Sequence, residues 1–163
     1  MEKLHRDLLK LLSEDARAPH SRLAVMLGTT EKQVNEAVAE LEAAGIIVKY
    51  TAVVNAERAG YDYVDALIEV RVTPQKSRGF DVIAEQIYKL DEVKSVYLMS
   101  GGYDLAVFVE GRTLREVANF VSERLSALDT VISTATHFIL KKYKVEGVIL
   151  AGDEGSDRIA VHP

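Results

Sequence analysis

Residues 19–45, PHSRLAVMLGTTEKQVNEAVAELEAAG, decide the fold of the N-terminal part of the chain. Ser21 is of a type that caps helix N-termini, because its side-chain oxygen can accept a backbone N–H bond, and it predicts a short helix over residues 22–27. Gly28 follows, at the point where the chain needs a left-handed turn to leave that helix. The pattern therefore predicts a helix that ends in a tight turn.

A further helix follows this turn. Thr30 can cap its start, and Gln33, three residues later, completes a capping box. Its apolar positions recur with helical spacing on one face, at Val34, Val38 and Leu41. Gly45 marks its end.

The flanking sequence completes an N-terminal unit. Leucines recur on one helical face upstream, at Leu4, Leu8, Leu11 and Leu12. We expect that helix to end at Ala18-Pro19, because proline disfavours the helical conformation in the residue before it. A β-rich run, residues 46–54, follows Gly45. Three helices with a glycine turn and a β-rich run predict a winged helix-turn-helix.

From Gly60 the periodicity changes, and strands and helices alternate. Strands are predicted over residues 64–72, 93–99, 105–109 and 131–143, and helices over 80–90 and 114–125. This β-α-β-β-α-β order predicts a ferredoxin-like unit, so the fold class is α+β. We expect a first domain over residues 1–55, a linker over 56–61, a second domain over 62–150 and a polar tail over 151–163.

Composition excludes several classes of protein. The chain has 163 residues, a net charge of −5 and 48% hydrophobic residues, which excludes a disordered chain. It has no cysteine and no apolar run of membrane-spanning length, and its charged N-terminus is unlike a signal peptide, so a cytoplasmic protein is expected. The four histidines are scattered and no catalytic or nucleotide-binding motif occurs, so we predict no metal, no cofactor and no enzyme activity.

The helix-turn-helix makes double-stranded DNA a candidate partner. Thr29 and Thr30 can bond phosphate at the start of the third helix, and Gln33 and Asn35 can read an adenine edge. The other candidate contacts are Ser21, Arg22, Lys32 and Lys49. Charge argues against this role, because residues 1–55 hold seven Lys and Arg against eight Asp and Glu. The helix expected to enter the groove carries one Lys and four Glu. An interaction or dimerisation module is the alternative interpretation.

The second domain has a candidate ligand site at the turn Ser100-Gly101-Gly102-Tyr103-Asp104. Adjacent glycines let backbone N–H groups approach a carboxylate closely, and Asp104 can hold an ammonium group. Thr134 and Thr136 on one face of the last strand can add hydroxyls. The alternative is an ordinary hairpin turn in which Asp104 bonds to nearby backbone. The two threonines would then be present only because threonine favours β-strands. An open sheet of this kind also predicts a homodimer.

Four stretches in this order resemble the Lrp/AsnC (leucine-responsive regulator) family over about Leu4 to Tyr143. They are residues 8–17 (LLKLLSEDAR), residues 23–42, the link from Gly45-Ile46-Ile47 to Tyr50-Thr51-Ala52-Val53-Val54-Asn55, and the turn from Ser100 to Leu105. The resemblance implies a transcriptional regulator that binds operator DNA as a dimer. It also implies a C-terminal domain that assembles dimers into an octamer and binds a small effector, commonly an amino acid, near residues 101–104.

Two other functions stay open at this point. Members of the family often carry arginine along the middle of the recognition helix, where this chain has Ala37, Ala39 and Glu40. A ligand-binding oligomeric sensor with weak or lost operator binding is therefore the alternative to a DNA-binding regulator. Siroheme decarboxylases resemble the same two-domain architecture, but no cluster of His and Arg suited to a propionate-rich macrocycle is evident.

Overall fold

The computed structural model describes residues 2–74 and 79–150. The chain divides into two compact units, Met1–Val53 and Val54–Pro163. The polar tail predicted over residues 151–163 lies outside the described residues, and the finer limits expected for the domains and linker stay predictions.

The N-terminal unit contains α1 (Lys3–Glu14), α2 (His20–Leu27) and α3 (Glu31–Ala43). Their apolar faces meet in one core, in which Leu8, Leu23, Val34 and Leu41 are almost completely buried. Burying side chains of this size supplies most of the favourable free energy that holds so small a unit together. The core fixes which face of α3 remains outside.

Two predicted helix limits in this unit are wrong. α1 ends at Glu14 rather than at Pro19, because Asp15 leaves the helical conformation and its Oδ1 accepts the Arg17 N–H at 2.9 Å. α2 begins at His20, with Pro19 at the N-cap position and no side-chain cap. The Pro19 carbonyl accepts the N–H groups of Arg22 at 2.9 Å and Leu23 at 3.0 Å, so Ser21 lies in the first turn and is not the cap.

The turn between α2 and α3 is as predicted. Gly28 has φ 63° and ψ 36°, in the left-handed region that glycine adopts without steric cost. The capping box at the start of α3 is complete. The Gln33 N–H donates to Thr30 Oγ1 at 3.2 Å, while Gln33 Oε1 accepts the Thr30 N–H at 3.3 Å.

The β-rich run predicted over residues 46–54 forms no strand in the structure. The N–H groups of Ile46 and Ile47 both bond to the Leu41 carbonyl, at 2.9 and 3.1 Å, and close the end of α3. Beyond them Val48 and Val54 are exposed. β-branched residues favour extended backbone, but a strand also needs a partner for its N–H and C=O groups, and the described residues of this chain supply none here.

The C-terminal unit has the predicted ferredoxin-like order. Its elements are β1 (Val64–Val72), α4 (Asp81–Tyr88), β2 (Val93–Leu98), β3 (Leu105–Gly111), α5 (Leu114–Asn119) and β4 (Val131–Ile139). The four strands form an antiparallel sheet in the order β2-β3-β1-β4. Alternate strand residues such as Ile68 and Val107 face α4 and α5 and form the core.

Three details of this unit differ from the prediction. The helix after β3 continues beyond α5 as a π-helix, Phe120–Leu125. Its first and last residues, Phe120 and Leu125, are both buried and lie on one face. β4 ends at Ile139 rather than at Tyr143, because Ile139 pairs with Asp65 and only one residue of β1, Val64, lies beyond that pair. A small hairpin follows, β5 (Lys144–Val145) and β6 (Val148–Ile149), turned by Glu146 and Gly147 at φ 47° and 80°. Among the described residues, no helix is long and apolar enough to cross a membrane.

Candidate functional sites

The outer face of α3 is the candidate surface for DNA. Val34, Ala37, Val38 and Leu41 point into the core, whereas Lys32 and Asn35 are exposed. In a helix-turn-helix the second helix of the pair presents such a face to the major groove. The burial pattern therefore leaves outside the residues that the sequence predicted as base readers.

Gln33 and the two threonines before it are bound to one another. Gln33 Oε1 accepts the Thr29 hydroxyl at 2.5 Å and the Thr30 hydroxyl at 3.1 Å, in addition to the Thr30 N–H. The hydroxyl protons that were predicted to bond phosphate are thus directed at the capping box. Gln33 keeps its amide nitrogen as its outward donor, but its carbonyl oxygen is occupied.

Asn35 has a partner that sequence reasoning missed. His20 Nδ1, at the first residue of α2, makes a short hydrogen bond to Asn35 Oδ1. A carbonyl oxygen only accepts, so the ring nitrogen donates. Fifteen residues separate the two in sequence, and only the packing of α2 against α3 brings them together.

Three of the four glutamates of α3 contact other side chains of the N-terminal unit. Glu40 Oε2 lies 3.1 Å from His5 Nε2 on α1, Glu36 Oε1 lies 3.7 Å from Lys32 Nζ, and Glu42 Oε1 accepts the Tyr50 hydroxyl at 2.9 Å. Burial and the hydrogen bond and charge of Glu42 raise the pKa of Tyr50. Three of the four glutamates therefore have a partner, and of these partners Lys32 is the one with a permanent opposite charge.

The other predicted DNA contacts lie at separate places on this unit. Ser21 and Arg22 are exposed in the first turn of α2, and Lys49 is exposed after α3. Each is available to a phosphate, which can be bound by a single flexible cation.

The turn over residues 100–104 is held to β1. The Met99 N–H donates to the Asp104 carbonyl at 2.8 Å, and the Asp104 N–H donates to the Val70 carbonyl at 3.0 Å. Asp104 Oδ2 accepts the Val72 N–H at 2.9 Å, and Arg71 Nε donates to the Gly102 carbonyl at 2.8 Å. Sequence reasoning missed Arg71, because 31 residues separate it from Gly102 and no local pattern links them.

Among the residues that the structure describes, nothing requires glycine at positions 101 and 102. Neither has a positive φ, and a Cβ at either position would meet nothing within 4 Å. Gly111 provides a contrast, because its Cβ would lie 2.9 Å from Val117 Cγ2. Residues 101 and 102 thus present bare, exposed backbone at the end of the sheet.

Thr134 and Thr136 are not brought together with this turn. They pair with Val70 and Ile68, whose side chains face the helices, so both threonines lie on the helix-covered face. Arg71 alternates with Val70 and points to the opposite face. Thr134 Oγ1 has a contact at 3.4 Å with Ser126 Oγ.

The face of the sheet opposite the helices is apolar at its centre. Leu67, Phe108, Tyr97 and Ile139 lie on it by strand register, and Tyr97 packs edge-on against Phe108 with ring centroids 6.0 Å apart. Pairs of polar side chains border this open face, including Glu69 with His137 at 3.3 Å and the ion pair of Asp65 with Lys142 at 2.6 Å. The helices α4 and α5 pack on the other face, and within the described ranges no group of three or more His, Cys, Asp or Glu is placed to hold a metal.

Both units match known families. Residues 1–48 match the family described as winged helix-turn-helix DNA-binding, and residues 65–149 match the Lrp/AsnC ligand binding domain. Each match covers one of the compact units described above.

Relatives cover nearly the whole chain. The HTH-type transcriptional regulator YugG of Bacillus subtilis is 44% identical over 158 residues, which is 96% of this chain and 95% of that protein. The HTH-type transcriptional regulator LrpA of Pyrococcus horikoshii is 33% identical over 84% of this chain and 94% of its own length. A transcriptional regulator from Neisseria meningitidis, solved as a complex with L-Met, has the same fold, with a TM-score of 0.71 at 23% identity over 89% of this chain and 93% of that one. The chain therefore belongs to the Lrp/AsnC family and is a DNA-binding transcriptional regulator with a ligand-binding domain, not an enzyme.

Proposed function

We propose that this regulator binds an L-amino acid at the turn over residues 100–104 and that the bound amino acid changes its affinity for operator DNA. The observation that carries the proposal is the bare backbone of Gly101 and Gly102, which no contact with the described residues explains. Because glycine has no side chain, a ligand can approach the backbone of these two residues closely.

The chemistry of the turn suits a zwitterion. Backbone N–H groups without side chains beside them can bind a carboxylate. Asp104 uses Oδ2 for the Val72 N–H, which leaves Oδ1 to accept from an ammonium group. Arg71 stabilises the turn through the Gly102 carbonyl. The L-Met complex of the N. meningitidis protein supports an amino acid as the class of ligand.

A second copy of the chain would complete the site. Ser100 and Tyr103 border the glycines, while Thr134 and Thr136 lie on the other side of the sheet, so the threonines would act on an effector held by a neighbouring dimer. We therefore propose a homodimer that assembles further into an octamer in the cytoplasm.

The open face of the sheet is the proposed dimer surface. An apolar centre bordered by ion pairs has the composition of an interface between subunits. Placing a charge there with Phe108→Glu is expected to yield monomers in light scattering. Tyr88→Glu is the matched control, since Tyr88 is an exposed aromatic on α4. Dimers of the Phe108→Glu variant would exclude this surface.

Sequence-specific DNA binding is proposed to use Arg22, Lys32, Asn35 and Lys49, with backbone N–H groups at the start of α3 near a phosphate. Ser21 would add a contact from the first turn of α2, and Thr29, Thr30 and Gln33 would add contacts from the start of α3. A sensor with weak operator binding is the second candidate. The observation that favours it is the absence of a basic surplus, with seven cations and eight acidic residues in residues 1–55.

A thermal-shift screen of the full-length protein against the standard L-amino acids tests the ligand proposal. A ligand that binds the folded state raises the melting temperature by mass action. At least one amino acid is expected to raise it in the wild-type protein and not in a Gly102→Val variant. The matched control is Leu114→Val, which changes an exposed residue of α5. If no amino acid shifts the wild-type protein, the effector is of another class.

A further inference from the structure

Arg71 has more hydrogen-bond donors than the turn over residues 100–104 uses. Its Nε donates to the Gly102 carbonyl at 2.8 Å, and its side chain is exposed. A guanidinium group carries five N–H donors, and four of them belong to Nη1 and Nη2. Within the described residues these two nitrogens make no hydrogen bond or ion pair. The edge formed by Nη1 and Nη2, which can bind both oxygens of a carboxylate, is therefore unoccupied beside Gly102.

Asp104 offers the opposite charge at the same turn. Its Oδ2 accepts the Val72 N–H at 2.9 Å, which leaves Oδ1 without a partner among the described residues. Although they meet the same turn, Asp104 and Arg71 form no ion pair with each other. Each is held instead by one bond to backbone. A small molecule that carries both charges, as an amino acid does, can therefore satisfy both residues at once.

We propose that Arg71 binds the α-carboxylate of the effector through Nη1 and Nη2, while Asp104 binds its α-ammonium group. This gives Arg71 a direct contact with the ligand in addition to its bond to the turn, and it rests on the proposed amino-acid site at residues 100–104. The effector is then an α-amino acid with a free carboxylate. An α-carboxamide with the same side chain keeps the ammonium group but lacks the negative charge that a guanidinium binds most strongly.

The place of Arg71 in the sheet leaves it open to a ligand. It lies on the same open face as Leu67, but four residues further along β1, which is about 13 Å in a strand. The pairing of β1 with β4 becomes irregular directly after Arg71. A dimer interface centred on Leu67 therefore places Arg71 at its rim, where protein interfaces are polar and accessible to solvent.

A glutamine substitution separates the two roles of Arg71. The Nε2 atom of glutamine is the same number of bonds from Cα as the Nε atom of arginine, so in Arg71→Gln it can still donate to the Gly102 carbonyl. The variant lacks Nη1, Nη2 and the positive charge. Arg115→Gln is the matched control, since Arg115 is an exposed arginine of α5.

The experiment is isothermal titration calorimetry on the full-length protein. The probes are those standard L-amino acids that raise the wild-type melting temperature, each paired with its α-carboxamide. The wild type and Arg115→Gln are expected to bind the acid at least about tenfold more tightly than the amide, because charge-assisted hydrogen bonds are the stronger ones. In Arg71→Gln this preference is expected to fall at least about tenfold, which the cycle of two proteins and two ligands measures directly.

A loss of affinity in Arg71→Gln that is equal for acid and amide would show that Arg71 only holds the turn, and it would overturn the inference. An unchanged preference for the acid would overturn it too. In both cases amino acids still bind the wild type, so the proposed site at the turn survives. If no amino acid binds the wild type, the proposed function fails and the inference fails with it.

Circular dichroism shows whether Arg71→Gln folds. If it does not, Arg71→Lys replaces it, because lysine keeps the charge but cannot bind a carboxylate through two parallel N–H groups. The preference of Arg71→Lys for acid over amide is then expected to be at least about threefold lower than that of the wild type. An equal preference in Arg71→Lys and the wild type would overturn the inference.

Discussion

Alanine in place of three glycines is predicted to give three different outcomes for three physical reasons. Gly28→Ala places a Cβ in open space but at φ 63°, so the cost is that of the left-handed backbone, about 1–2 kcal/mol. Gly111→Ala places a Cβ 2.9 Å from the side chain of Val117, which is buried, so the neighbour must move at a cost of about 1–3 kcal/mol. Gly101→Ala meets neither obstacle and is expected to stabilise the unliganded chain by about 0.4–1 kcal/mol, because alanine restricts the unfolded chain.

Urea denaturation followed by circular dichroism measures these differences. All proteins are compared at one concentration, because assembly couples stability to concentration. Gly28 lies in the N-terminal unit and the other two in the C-terminal unit, so two transitions are fitted where they separate. A clear loss of stability in Gly101→Ala would refute the reasoning, since it would mean that the protomer itself needs glycine there.

Three further predictions follow from the N-terminal unit. Thr30→Ala removes the cap of α3 and is expected to lower the free energy of unfolding by about 0.5–2 kcal/mol in the same urea assay; an unchanged midpoint would contradict the capping box. Burial and the bond to Glu42 raise the pKa of Tyr50 from its ordinary 10.0, so the protonated side chain stabilises the folded state below that pH and this stabilisation is lost as pH rises through the folded-state pKa. As pH rises above this value, the melting temperature of the wild type should therefore fall more steeply than that of Tyr50→Phe. Parallel plots of melting temperature against pH would contradict this prediction. Arg22→Ala and Lys32→Ala are each expected to reduce the slope of log affinity against log salt by about 0.9, and unchanged slopes would show that neither contacts a phosphate.

Local features of the sequence predicted the fold well. The capping box of Thr30 and Gln33, and the left-handed turn at Gly28, depend on residues within one helical turn of each other, so their pattern is visible without tertiary contacts. The alternation of residues 64–72 likewise specified β1. Ser21 was a plausible cap, but the carbonyl of Pro19 already accepted the first helical bonds.

Tertiary partners determined the features that sequence reasoning missed. The run over residues 46–54 has strand propensity but no partner strand among the described residues, and propensity alone does not satisfy backbone groups. His20, His5 and Arg71 acquire their roles from contacts made across packed elements, so their residue types carry no signal by themselves.

The measurement that tests the central claim most directly is a fluorescence anisotropy titration of the full-length protein. The DNA is a duplex from upstream of its own gene, with a shuffled duplex of equal composition as control, and each titration is made with and without the amino acid that raises the melting temperature. We predict tighter binding to the upstream duplex than to the shuffled one, and an affinity that the amino acid changes severalfold, as expected for a coupling of about 1–3 kcal/mol between two sites. Equal affinity for both duplexes, with no effect of the amino acid, would contradict the account.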